Sequence, residues 1–142
     1  METATALRKK RIDAVDLDYI AEELEDLGRT EQRELRNRLK QLMLHLLKWK
    51  YQPKRRGVSW KAAVNAQRKE IVRLLRENPS LKGSLTVLMS DAYPVAVDLA
   101  VSQARLPYNV FPPECPFTFE EAMTTPLIPH PPKRPKRPKQ NY

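Results

Sequence analysis

Between Leu35 and Trp49 the sequence sets Leu35, Leu39, Leu42, Leu46 and Trp49 at steps of 4, 3, 4 and 3 residues. An α-helix returns side chains to one face at that spacing, so this stretch reads as a helix with a heptad seam. Its second half is more demanding. Leu42, Met43, Leu44, Leu46, Leu47 and Trp49 cover most of the circumference. A helix that is apolar all round has no solvent side, so this half is expected to be central in the fold.

The remaining elements follow from spacing and punctuation. Leu17, Ile20, Leu24 and Leu27 share one helical face, with Asp16 as N-cap and Gly28 just past the end. Thr30 is expected to cap the next helix, which runs to about Tyr51 and is stopped by Pro53. Ser59 opens a third, about Trp60 to Glu77, on the seam Trp60, Val64, Gln67, Ile71 and Leu74/Leu75. Asn78-Pro79 ends it, and Ser80 can cap a fourth carrying Leu81, Leu85, Leu88, Ala92, Ala96 and Leu99. Pro94 lies inside that helix, where a proline costs about 3 kcal/mol, and a kink is expected there. Thr118 and Glu121 have the spacing of a capping box on a single turn, Thr118–Met123. No stretch alternates as a strand does. The fold expected is all-α, a small four-helix bundle with a C-terminal extended Pro-rich segment. Its parts are a flexible basic stub at 1–12, a bundle at 13–123 and a disordered basic Pro-rich tail at 124–142. The tail carries six prolines and could reach about 50 Å at roughly 3 Å per residue.

Composition excludes several classes. With only 3 glycines in 142 residues, the chain has no glycine-rich phosphate cradle and no nucleophile elbow. Two histidines and one cysteine make a zinc site improbable, and no Glu-x-x-His motif suggests a carboxylate-bridged metal. No cofactor is implied. A lone cysteine cannot form an internal disulfide, so a cytoplasmic location is the default expectation. No apolar run approaches the roughly 18 residues of a transmembrane segment, and the N-terminus lacks the apolar stretch of a secretory signal.

Several blocks carry a resemblance. They are Ala21-Glu22-Glu23-Leu24-Glu25-Asp26-Leu27-Gly28, His45-Leu46-Leu47-Lys48-Trp49-Lys50-Tyr51-Gln52-Pro53, Ser59-Trp60, Gln67-Arg68, Asn78-Pro79-Ser80-Leu81, Ala92-Tyr93 and Phe111-Pro112-Pro113-Glu114-Cys115-Pro116. In order and spacing they resemble the small bacterial family called domain of unknown function 29, over about residues 13–117. The resemblance implies an all-helical fold and no accepted activity. Members of that family usually carry about twenty to thirty further N-terminal residues, and the basic Pro-rich tail is outside the family pattern.

Two constellations are candidates for function. The first is a polar stripe: Arg38, Gln41, His45 and Lys48, with Gln52 beyond, follow one line on the second helix. Glu23 on the first helix and Gln67 and Arg68 on the third could complete it. A His beside a carboxylate suits general acid–base chemistry, so Glu23, Arg38, His45, Lys48 and Arg68 form a candidate catalytic or ligand pocket. The bland alternative is a structural network that fixes helix register. Cys115 is read as a small packed residue in a Phe/Pro clamp, not as a nucleophile.

The second constellation is cationic. Residues 13–26 hold seven acids and no base, whereas 29–76 hold fifteen bases and three acids. Arg29, Arg33, Arg36 and Lys40 form one helix patch. Lys54, Arg55 and Arg56 form a loop patch beside Tyr51 and Trp60. Lys69, Arg73 and Arg76 form a third, and the tail adds Lys133, Arg134, Lys136, Arg137 and Lys139. Clustered cations with neighbouring aromatics suit phosphates and bases. The expected function is therefore non-catalytic nucleic-acid binding, to RNA or DNA. The alternative is a protein-interaction subunit of an operon-encoded complex or toxin–antitoxin pair, docking through the Pro-rich tail or an apolar groove. A hydrolase or nuclease built on the polar stripe ranks third.

Overall fold

The computed structural model describes residues 16–52 and 57–127. The stub at 1–12, the loop bases Lys54, Arg55 and Arg56, and the tail bases from Lys133 to Lys139 lie outside the described residues. Among the described residues four helices follow in order: α1 (Leu17–Tyr51), α2 (Val58–Glu77), α3 (Leu85–Ala104) and α4 (Phe119–Thr124). Short 3-10 turns occupy Pro79–Ser84 and Tyr108–Val110. No strand occurs among the described residues, and the fold is an all-α helical bundle.

The first two expected helices are one. α1 continues through Gly28 for 35 residues. Gly28 does not take the positive φ of a helix-ending glycine, and Thr30 does not cap. Its hydroxyl donates back to Asp26 O at 2.9 Å, the bond that a Ser or Thr makes inside a helix. An interior glycine costs about 1 kcal/mol relative to alanine. A break would leave up to four donors and four acceptors of the backbone without helical partners, so continuity is the cheaper solution.

The chain nevertheless divides into two compact units inside α1, Met1–Glu34 and Leu35–Tyr142. In the first, α1 exposes its apolar face: Leu17, Ile20, Leu24 and Leu27 are all at least half exposed. The second holds the core. Leu35, Leu39, Leu42, Met43, Leu44, Leu46 and Leu47 are each 2% exposed or less, as the all-round apolar pattern requires. Complete burial of seven such side chains contributes roughly 10–20 kcal/mol in transfer terms.

α2 begins one residue before Ser59, at Val58, and Gly57 occupies its N-cap with no side-chain cap. It contributes Trp60, Val64, Ile71, Leu74 and Leu75 to the core. Asn78 ends it through the expected Asn78-Pro79 pair. Ser80 does not cap α3, because Pro79–Ser84 forms a 3-10 turn that buries Leu81 before α3 starts at Leu85. α3 runs through Pro94 as one helix and buries Ala92, Ala96, Ala100 and Ala104 at four-residue steps, small residues that let neighbouring segments approach closely. It ends in a left-handed Arg105 at φ 53°. By length and composition alone, Pro79–Ala104 is apolar enough to cross a membrane; 33% of its most apolar window is buried in the fold.

Beyond α3 the chain is pinned by polar and aromatic contacts. Tyr93 donates its hydroxyl to Pro112 O at 2.6 Å, and Tyr51 meets Phe111 edge-on at 5.1 Å. The capping box of Thr118 and Glu121 is present on α4.

Continuity at Gly28 has a direct test. Among the described residues, nothing beyond its chain neighbours and the adjoining backbone of α1 lies within 4 Å of where a Cβ would sit. Gly28→Ala is therefore expected to raise helicity and stabilise α1 by about 0.5–1 kcal/mol, read by far-UV circular dichroism during unfolding. Destabilisation would show that Gly28 ends a helix after all.

Candidate functional site

The C-terminal end of α1, the start of α2 and the end of α3 enclose a pocket of about 290 Å³. From α1 come His45, Lys48, Trp49 and Gln52, from α2 Ser59, Trp60 and Ala63, and from α3 Gln103. The heptad periodicity that buries Leu42 and Leu46 turns His45, Lys48 and Gln52 to the next face, toward this space. Trp49 and Trp60 lie nearly parallel, 9° apart with centroids 6.3 Å from each other. Trp60 is 9% exposed and donates its indole N–H to His45 O at 2.8 Å.

Two bonds hold the end of α3 to α1. Lys48 donates to Gln103 Oε1, and Gln52 Nε2 donates to Ala104 O at 3.0 Å. The second satisfies one of the carbonyls that a helix end leaves without a helical partner. A lysine here also suits the negative end of the α3 dipole. Burial lowers the His45 pKa below its ordinary 6.5, and the Lys48 charge lowers it further.

The expected polar stripe divides between different tasks. Lys48 and His45 meet in the pocket. Arg38 reaches Gln67 Oε1 at 3.4 Å and Glu70 Oε2 at 4.0 Å, tying α1 to α2. Arg68 turns to the C-terminal segment, donating from Nε to Ala122 O at 3.0 Å and from Nη2 to Thr125 O at 2.9 Å. It holds the end of α4. Glu23 is exposed on the first unit, and no carboxylate forms an ion pair with His45 among the described residues. An acid–base dyad at His45 therefore has no second member there.

The cationic patches also differ. Arg73 is held between two carboxylates, at 2.9 Å from Glu70 Oε2 and 2.8 Å from Glu77 Oε2. These are i,i+3 and i,i+4 pairs that neutralise the charge locally. Lys69 and Arg76 stand on the same helix and are exposed. Neither Gln103 nor the Trp49–Trp60 pairing is among the residues that spacing singles out. The proximity of α3 to α1 that brings Gln103 in is a tertiary fact with no local signal.

A family model, "Domain of unknown function DUF29", matches residues 1–127. The chain belongs to the DUF29 family. The match takes in the N-terminal stub as well as the helices, so the family pattern reaches further in both directions than the motifs at 13–117. Residues 128–142 fall beyond it. No curated protein and no solved structure matches the chain.

The one cysteine of this DUF29 chain is set among packing contacts. Cys115 Sγ lies 3.6 Å from Met43 Sδ and donates to Phe117 O at 3.3 Å. Burial pushes its thiol pKa up, and the Glu121 carboxylate adds to the shift. Native-state alkylation, followed by mass spectrometry, is expected to be slower than for the urea-unfolded chain by at least an order of magnitude. Equal rates would contradict a packed thiol.

His45 gives a pH prediction. Its folded pKa lies below 6.5, so between the two values the unfolded chain binds more protons. Stability is then complete above about pH 6.5 and falls as pH drops toward the folded pKa. Unfolding midpoints in urea should show this loss in the natural protein and a smaller one in His45→Gln. An identical pH profile would remove His45 as its origin.

Proposed function

We propose that this DUF29 protein binds nucleic acid with little sequence preference and carries out no chemistry on it. The observation that carries the reading is the meeting of Lys48, the Trp49–Trp60 pair and the uncapped N-terminus of α2 at one pocket. Each suits a different part of a nucleotide. A lysine attracts phosphate, and releasing the condensed counterions drives association. Backbone N–H groups at a helix start favour an anion. An indole face accepts a base of any identity, so stacking brings affinity without sequence readout.

Sequence extends the same chemistry. Lys54-Arg55-Arg56 begins three residues after the last residue of α1, and the tail adds five bases spaced by prolines. On the outer face of α2, Arg73 is committed to Glu70 and Glu77, so that patch offers less charge than its count of bases. Among the described residues His45 has no carboxylate partner, and Arg68 serves as a backbone clamp; both favour binding over hydrolysis.

Fluorescence anisotropy with labelled single- and double-stranded oligonucleotides tests this across a salt series. Kd should rise steeply with salt. Substituting Lys54, Arg55 and Arg56 together by alanine, or removing residues 128–142, should reduce the log–log slope by up to about 0.9 for each duplex phosphate that is no longer neutralised. Failure of the full chain to bind either oligonucleotide at low salt would refute the proposal, as would slopes unchanged in both variants.

A further inference from the structure

The second unit has a shallow apolar groove of about 780 Å³ between α2, the Pro79–Ser84 turn and α4. Val72, Leu75, Phe119 and Met123 make its floor. Val72 is 51% exposed on a helix that buries Trp60, Val64, Ile71, Leu74 and Leu75. Arg76 and Lys82 stand at the rim, with Glu120 as the one carboxylate of the lining. An adjoining hollow shares Val72, Arg76 and Met123 and adds Lys69. The groove is thus apolar below and cationic at the edge.

The first unit offers the converse. Leu17, Ile20, Leu24 and Leu27 are 65%, 50%, 62% and 55% exposed on one face of α1. Residues 16–26 flank that face with six carboxylates and not one base. The four apolar positions span about 15 Å along a helix, with the spacing by which an amphipathic helix anchors in a groove.

We infer that the acidic, apolar N-terminal part of α1 from one copy of this chain docks into the groove of a second copy. Charge complementarity selects that occupant. Two such helices face to face would oppose carboxylate to carboxylate. An anionic lipid surface would repel the same acids, since interfacial helices there carry Lys and Arg. The groove's Arg76, Lys82 and Lys69 provide the opposite sign, and its floor provides the apolar surface. Because helix and groove are different patches, the contact is heterologous: every open assembly retains one unused helix at one end and one unused groove at the other, so assembly continues until it closes into a ring or extends. Such docking requires no nucleic acid.

Analytical ultracentrifugation of the full, nuclease-treated chain tests it. The natural chain should self-associate with rising concentration, and less so at high salt. Ile20→Asp with Leu24→Asp alters only the helix face, and Arg76→Glu with Lys82→Glu only the groove. All four positions are exposed, and unchanged circular dichroism would verify the folds. Each double variant alone should be monomeric. Mixed in equal amounts, they retain one intact groove and one intact helix between them, and should form dimers and nothing larger. A natural chain that stays monomeric at every concentration would overturn the inference, whether the helix is unoccupied or folded back on its own groove. So would variants that associate alone, or a mixture that remains monomeric.

Discussion

The second unit is organised by one demand: the apolar side chains that α1 carries from Leu35 to Leu47, on one face at first and on most of the circumference from Leu42 on, must be enclosed. Seven of its side chains are almost wholly enclosed, and the other elements of the unit supply the enclosure. α2 contributes its Val64–Leu75 seam, α3 its line of alanines, and the extended segment after α3 supplies Phe111, Cys115 and Phe117. Enclosure also dictates where polar groups go. Arg38 and Arg68 are used to join elements, one to Gln67 and one to the carbonyls at the end of α4. The tryptophan pocket forms where α1 stops being apolar all round, at the point where His45, Lys48 and Gln52 interrupt the leucines.

Much of this was legible in the residues. The Leu35–Trp49 seam identified the central helix, and Thr118 with Glu121 identified the last turn down to its capping box. The joins between helices were less legible. Gly28 and Thr30 are strong local signals for an end and a start, yet α1 passes through both. A penalty near 1 kcal/mol is too small to outweigh continued backbone hydrogen bonding. Ser80 failed as a cap for a similar reason: packing of Leu81 favours a tight 3-10 turn before α3.

The site was legible as a line but not as a network. Helical spacing placed Arg38, His45 and Lys48 together, since that depends only on 3.6 residues per turn. Glu70, which pairs with Arg38, and Gln103, which accepts from Lys48, come from other helices, and no local rule supplies them. Arg73 is the opposite case. Glu70 and Glu77 stand three residues before it and four after, so its neutralisation could have been read from the sequence by the same i,i+4 rule that supports exposed helices. Counting bases without counting their helical neighbours overstates the α2 patch.

A DUF29 chain built in this way carries two chemically distinct surfaces, an aromatic pocket with a cation and an apolar groove with a basic rim. We propose nucleic-acid binding at the first. Amide and indole chemical-shift mapping by NMR during titration with a short single-stranded oligonucleotide is the most direct measurement of that assignment. The expected result is perturbation concentrated at the two indole N–H groups and at residues 45–60. Shifts confined to residues elsewhere in the chain, with both indoles unmoved at saturation, would contradict it.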